Sequence, residues 1–366
     1  MKISFFDDEP EIYPLQYGGK ARTIVNLATE FAKHNDVEEV RILSRSINSN
    51  KKEFTKDGVK YVSIDDENTI EMIAKECQTT DIINIHCCSF TFPIIKSKAK
   101  KFYFLHDVLI ATAEKGSHLD KSLGGDFDYI IAPSEFAKSK YDEKKELLNR
   151  NVNCLVVPRH IDQYLFKRIS PTDDTAINHM PTLLKKIIKK YDNIIFFPNR
   201  PIIEKGGEYI SLFAKKMKEE NKNICIIGPF GNECNLPDNC INTGWIESEK
   251  LKYFYSFSDV TFNFSILPES FSQVCIESIY CGTPVVAFNS GNIKNLSKVT
   301  KGIMICQKNL ESIVKTTKKA LLLKKNITIM NEEINNISNI FNKEKIVNEY
   351  INLYKKVLEE KQNEQE

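Results

Sequence analysis

Two successive series of short apolar runs, each run followed by a segment with helical spacing of its apolar residues, constrain this chain more than any single motif. Strands that alternate with helices pack as parallel layers, because joining parallel strands needs a crossover long enough to hold a helix. The first series opens with a strand at 2–6. A loop ending in Gly18-Gly19 follows, and then Ile24, Leu27, Ala28 and Phe31 recur on one helical face. Further strands read at 39–43, 60–64, 81–86, 102–105, 129–132 and 154–157. Residues 170–181 are rich in Pro, Asp and Thr and read as a connector. The second series has strands at 193–197, 223–228, 240–242, 259–264, 284–288 and 302–306, and after Leu310 the pattern is helical. The expectation is an α/β protein of two doubly wound, Rossmann-like domains, at 1–168 and 191–342, joined by a linker at 169–190. A chain of 366 residues is long enough for two separate cores.

Composition narrows the classes of function. Hydrophobic residues make up 42% and charged residues 27%, as in ordinary globular domains. A net charge of +2 gives no reason to expect a nucleic-acid partner. Residues 1–180 hold 25 basic against 28 acidic side chains and the rest hold 26 against 21, so the second half leans towards anions. No apolar run has transmembrane length. The N-terminus turns acidic at Asp7-Asp8 without a signal-peptide core, and the ten cysteines include no Cys-x-x-Cys pair. A cytoplasmic protein with reduced thiols is expected. Residues 183–191 separate an apolar from a lysine-rich face. That stripe could touch the inner face of an anionic membrane. A linker helix packed on the second domain, with its lysines solvated, is the preferred reading.

Chemistry concentrates in Pro268-Glu269-Ser270-Phe271-Ser272-Gln273-Val274-Cys275-Ile276-Glu277. Two glutamates stand eight positions apart across a loop that runs into a helix, which Cys281-Gly282-Thr283-Pro284 ends. A helix starting near Phe271 would carry Glu277 about 9 Å from its start. Between the glutamates, the N–H groups around Phe271, Ser272, Gln273 and Val274 form an anion site. A ligand built as sugar, diphosphate and ribose fits that order. Asn199-Arg200-Pro201-Ile202-Ile203-Glu204-Lys205-Gly206-Gly207 follows a strand and enters a helix, and it offers two cations and a glycine for close backbone approach.

These stretches resemble the Glu-x7-Glu and Gly-Arg-x4-Lys-Gly elements of the retaining glycosyltransferases of the GT-B fold, glycosyltransferase family 4 in particular. The resemblance implies a cleft between the domains, an acceptor on the first domain, and a helix at 343–366 that crosses back to it. It implies a metal-independent enzyme that moves a sugar, with retention, from a nucleoside-diphosphate donor to a hydroxyl. A uridine-linked donor is preferred, and the donor is a cosubstrate, so no cofactor is expected. Arg200 and Lys205 would stabilise the leaving diphosphate, Glu269 would hold the donor sugar and Glu277 the ribose. Gly18 and Gly19 resemble the family's N-terminal glycine loop. His106 ends a strand where members carry a histidine near the donor sugar, whereas His86 reads as structural. Gly228, Trp245 and Ile246 stand where the family wraps the nucleotide.

Some positions depart from that pattern. Ser272 replaces a glycine, Arg159-His160 interrupts a common Pro-Asn-Gly-Val-Asp, and Ile293, Lys294 and Asn295 replace a Gly-Gly and a following Glu. Asp126-Phe127-Asp128 is rejected as a metal motif because it enters a strand well inside the first domain. Two other readings are kept: a nucleotide-sugar 2-epimerase on the same fold, and a catalytically degenerate sugar-binding subunit. The sequence leaves open the donor sugar, the acceptor (glycan, lipid-linked, protein or small molecule), the linkage and the oligomeric state.

Overall fold

The computed structural model describes residues 1–7, 19–44, 53–64, 69–87, 98–106, 108, 127–145, 152–199, 202–230 and 236–363. They form two compact units, one of Met1–His160 with Lys343–Glu366 and one of Ile161–Asn342. The division falls at His160/Ile161, eight residues before the boundary expected from sequence.

The first unit holds an eight-stranded sheet in the order β3-β4-β2-β1-β5-β6-β7-β8. Its strands are β1 (Lys2–Asp7), β2 (Glu39–Ser44), β3 (Glu53–Lys56), β4 (Val59–Ser63), β5 (Ile82–Cys87), β6 (Lys100–Phe104), β7 (Tyr129–Ala132) and β8 (Asn153–Val156). All pairs are parallel except β3–β4. The sequence reading missed β3. Its signal is Asp57-Gly58, both at positive φ, the turn that closes a tight antiparallel hairpin. Helices α1 (Gly19–Phe31), α2 (Thr69–Thr79) and α3 (Glu135–Asp142) belong to this unit.

An aromatic layer fills one face of the sheet. Phe5 meets Phe31 at 5.9 Å between ring centres, and Phe102 and Phe104 meet Tyr354 and Tyr350 of the C-terminal helix Lys343–Asn363 at 4.9 and 5.9 Å. The Tyr354 hydroxyl donates to buried Asn84 Oδ1 on β5 at 2.8 Å. The last helix is therefore part of this unit's core.

The second unit has six parallel strands: β9 (Asn193–Phe196), β10 (Ile224–Gly228), β11 (Cys240–Asn242), β12 (Val260–Asn263), β13 (Val285–Phe288) and β14 (Ile303–Cys306). Their order is β11-β10-β9-β12-β13-β14. Central strands are apolar without alternation because helices cover both faces, and every residue of β10, β12 and β13 is buried. The helices are α4 (Asp174–His179), α5 (Thr182–Lys190), α6 (Gly207–Glu219), α7 (Ser248–Phe257), α8 (Gln273–Tyr280), α9 (Ile293–Val299), α10 (Leu310–Lys325) and α11 (Ile327–Ser338). The segment expected as linker thus carries two helices of this unit. Leu184 and Ile187 of α5 are buried and Lys186, Lys189 and Lys190 are exposed, so its apolar stripe is spent on the core. Among the described residues, no helix is long and apolar enough to cross a membrane.

The strand order reverses between β9 and β12. At such a point the connections leave in opposite directions and open a crevice beyond the carboxyl ends of the strands, which is where open α/β sheets bind ligands.

Candidate active site

The loops after β9 and β12 flank that crevice, and each brings one of the expected charges. After β9 the chain makes a 3-10 turn at Ile203–Lys205 and enters α6 through Gly206, at φ 73°. Glycine is needed there twice over: the backbone is left-handed, and a Cβ would stand 2.4 Å from the Phe264 carbonyl oxygen. This close approach sets the turn against the β12 loop, and Ile266 N–H donates to Glu204 O at 2.8 Å. Lys205 Nζ then reaches Glu269 Oε1 at 2.6 Å, with both side chains partly open to solvent. The sequence reading gave these residues separate tasks, and the structure joins them in one ion pair. Glu269 is held from the other side by the loop after β13. Gly291, at φ 58°, packs so close that a Cβ would lie 2.4 Å from Glu269 O, and Asn292 N–H donates to that same oxygen at 2.8 Å.

Two residues past the expected start, α8 begins at Gln273 with Ser272 as its cap. Glu277 is therefore about 6 Å along the axis from the first helical residue, not 9. Ser272 is buried and left-handed, at φ 72°, although it is not glycine. Its hydroxyl does not cap the helix. It accepts from Asn263 Nδ2 at 2.8 Å and lies 3.3 Å from Cys275 Sγ. The backbone shape that a glycine would supply is kept, and buried Asn263 at the end of β12 satisfies the extra hydroxyl. Phe271 is buried against Phe341, at 5.5 Å between ring centres, while Gln273 and Val274 are half-buried at the helix start. Glu277 is itself buried and accepts from the Tyr255 hydroxyl of α7 at 3.0 Å. Lys324 fixes that pair of helices from below: its buried ammonium donates to Ser256 O, Gly282 O and Thr283 Oγ1, around the C-terminal ends of α7 and α8. Asn263, Tyr255 and Gly291 carry no local sequence signal for these roles, because only the strand order brings them to the site.

Gly228 ends β10, where a Cβ would stand 2.4 Å from Phe197 O. Its carbonyl accepts from Thr243 N–H at 2.8 Å, which draws the loop carrying Trp245 and Ile246 to the same edge. Trp245 is mostly exposed and Ile246 buried.

In the first unit the corresponding reversal lies between β1 and β5. Gly19 starts α1, and Lys20 pairs with buried Asp7 at the end of β1 at 2.9 Å. His106 Nδ1 lies 2.8 Å from Arg159 Nη2, and its Nε2 lies 2.8 Å from His86 Nδ1. Both ring nitrogens of His106 are thus engaged by protein. Asp128 has a structural task, accepting from Lys101 N–H at 2.7 Å. Gly18, Arg200 and Asp126 lie outside the described residues. Among the described residues no cluster of three His, Cys, Asp or Glu side chains is placed to hold a metal ion.

Residues 182–340 match the family described as glycosyl transferases group 1. No curated protein sequence matches the chain. Its fold is similar to that of sucrose-phosphate synthase from Thermosynechococcus elongatus, with a TM-score of 0.74 at 15% identity over 97% of this chain and 98% of that one. Anabaena HepE in complex with UDP-glucose gives 0.74 at 15% identity over 97% and 100%. A glycosyltransferase from Rickettsia africae gives 0.71 at 17% identity over 98% of both chains. At such identities the likeness carries the fold, which is GT-B.

Proposed function

We propose that this chain, which has the GT-B fold and matches the glycosyl transferases group 1 family over residues 182–340, is a retaining glycosyltransferase. It takes a sugar from a nucleoside-diphosphate donor, preferably UDP-linked, and places it on a hydroxyl acceptor. The observation that carries this reading is the Lys205–Glu269 pair at the β9/β12 reversal, 2.6 Å across and locked between two glycine approaches. The UDP-glucose seen with the Anabaena relative supports the choice of base.

Each residue has a task that its position suits. The helix start at Gln273 and Val274, with Lys205 and Arg200, receives the diphosphate. Glu269 accepts from donor-sugar hydroxyls and shields the positive charge that develops at the anomeric carbon. Glu277, already accepting from Tyr255, takes a ribose hydroxyl. Gly228, Trp245 and Ile246 face the base. The bond from the anomeric carbon to the donor phosphate oxygen breaks with its electron pair leaving on the diphosphate, which Lys205 and Arg200 stabilise. The acceptor oxygen bonds to that carbon on the same face, and its proton passes to the departing phosphate oxygen. The acceptor belongs to the first unit, where the glycine loop Gly18-Gly19 is assigned by resemblance to the handling of donor and acceptor. A cytoplasmic location is in keeping with the buried free thiols Cys154, Cys225, Cys275, Cys281 and Cys306.

The test is nucleotide release from a panel of UDP- and GDP-sugars by wild type and Glu269→Ala, without acceptor. Slow hydrolysis of one donor by wild type, lost in the variant, is expected and names the sugar. Isomerised donor in place of free nucleotide would mean an epimerase. UDP binding by calorimetry without turnover, in the presence of varied acceptors, would mean a degenerate subunit.

A further inference from the structure

The protons of a buried polar chain in the first unit follow from its heavy atoms. Arg159 Nη2 lies 2.8 Å from His106 Nδ1. A guanidinium only donates, so His106 Nδ1 must hold a lone pair. The ring proton of His106 is therefore on Nε2, which lies 2.8 Å from His86 Nδ1 and donates to it. His86 in turn carries its proton on Nε2, and that buried N–H meets no hydrogen-bond acceptor among the described residues. The donors run one way, from Arg159 through His106 to His86. Packing fixes the rings in this order. His86 is stacked on Phe5 at 5.4 Å and on Phe104 at 4.3 Å, and it lies 5.0 Å from the His106 ring.

We propose that Arg159 is a positioning residue that holds His106 and His86 as one neutral relay, in which neither ring serves as a proton acceptor. The consequence for catalysis rests on the transferase reading, whereas the relay itself rests on geometry. The charged and titratable groups around the pair agree with neutral rings. Lys20 on α1 is paired with Asp7 on β1, Arg159 follows β8, and Tyr350 on the C-terminal helix stacks on Phe104. Burial first, and then the charges of Arg159 and Lys20, hold both imidazoles well below the usual histidine range. A proton on either ring would place a second cation beside Arg159 in a partly buried site.

The test uses full-length protein labelled with ¹⁵N-histidine, which reports the tautomer of each of the six histidines by long-range proton–nitrogen correlation. His86→Phe, which keeps the aromatic stack, assigns one signal. Both rings are expected as Nε2–H tautomers that do not titrate between pH 5 and 8. In Arg159→Met at least one ring should begin to titrate in that range. Hydrolysis of UDP-glucose should then gain an acid limb near the usual histidine pKa that wild type lacks. Arg159→Lys should keep the wild-type profile. A proton on His106 Nδ1, titration of either ring in wild type, or an Arg159→Met protein with unchanged histidine signals would overturn the proposal. If Arg159→Met does not fold, the wild-type tautomers and titration decide alone. The nuclear resonance readout stands even if UDP-glucose proves not to be a donor.

Discussion

The pairing of Ser272 with Asn263 can be measured by a double-mutant cycle. Ser272→Gly removes a side chain from a left-handed backbone, relieving about 1 kcal/mol of strain. It also frees the unfolded chain, which costs roughly 0.5–1 kcal/mol. Finally it strands Asn263 Nδ2, whose remaining partner is Cys275 Sγ at 3.5 Å. Leaving a buried amide donor poorly satisfied costs roughly 1–2 kcal/mol. The single variant should therefore be less stable by about 1 kcal/mol, although glycine is the residue this backbone favours. Asn263→Val alone leaves the Ser272 hydroxyl without its donor but removes Asn263 Oδ1, a buried atom with no partner. The double variant removes both halves of the pair and should be more stable than the sum of the singles implies, by at least about 1 kcal/mol. The unit of residues 161–342 holds the only tryptophan, Trp245, so its fluorescence reports melting of this unit. For a unit of that size the coupling amounts to about 2–4 °C in Tm. Additivity to within about 0.5 kcal/mol would show that the serine is tolerated for some other reason, and the compensation argument would fail.

Other outcomes follow from the same crevice. Lys205→Met should lower the rate of donor cleavage by roughly 10²–10³, as loss of a group that stabilises developing charge does, with a smaller change in UDP affinity; an equal loss in both would show that Lys205 only binds. Gly291→Ala should cost activity without touching substrate, because its Cβ would lie 2.4 Å from Glu269 O at a positive φ. A loss of about 2 kcal/mol in stability, with at least roughly tenfold slower turnover, is expected by thermal melt and initial rates. Wild-type behaviour in both would mean that the β13 loop does not hold Glu269.

The parallel strands were legible in the sequence because apolar runs of strand length recur between helical segments, and strands buried on both faces need no alternation to be seen. The antiparallel β3 escaped because 53–56 is short and polar, and only the Asp57-Gly58 turn marks it. In the site, Glu269 and Lys205 stood out through the eight-residue spacing of Glu269 and Glu277 and the Arg-x4-Lys-Gly run. Their contact did not, since it depends on two loops separated by 64 positions meeting across a strand reversal. Asn263 was hidden inside an apolar strand and Tyr255 among other aromatic residues of a helix. The direction of the histidine relay needed Arg159 in place, and in the sequence that residue registered only as a departure from pattern.

Tyr350 and Tyr354 have a consequence for synthesis. The second unit is complete once Asn342 has been translated. The first sheet, although made first, lacks the helix that covers Phe102 and Phe104 and donates to Asn84 until Lys343–Asn363 has also been made. Maturation therefore runs against the order of translation: the nascent N-terminal half waits with an uncovered aromatic surface while its younger neighbour is already whole.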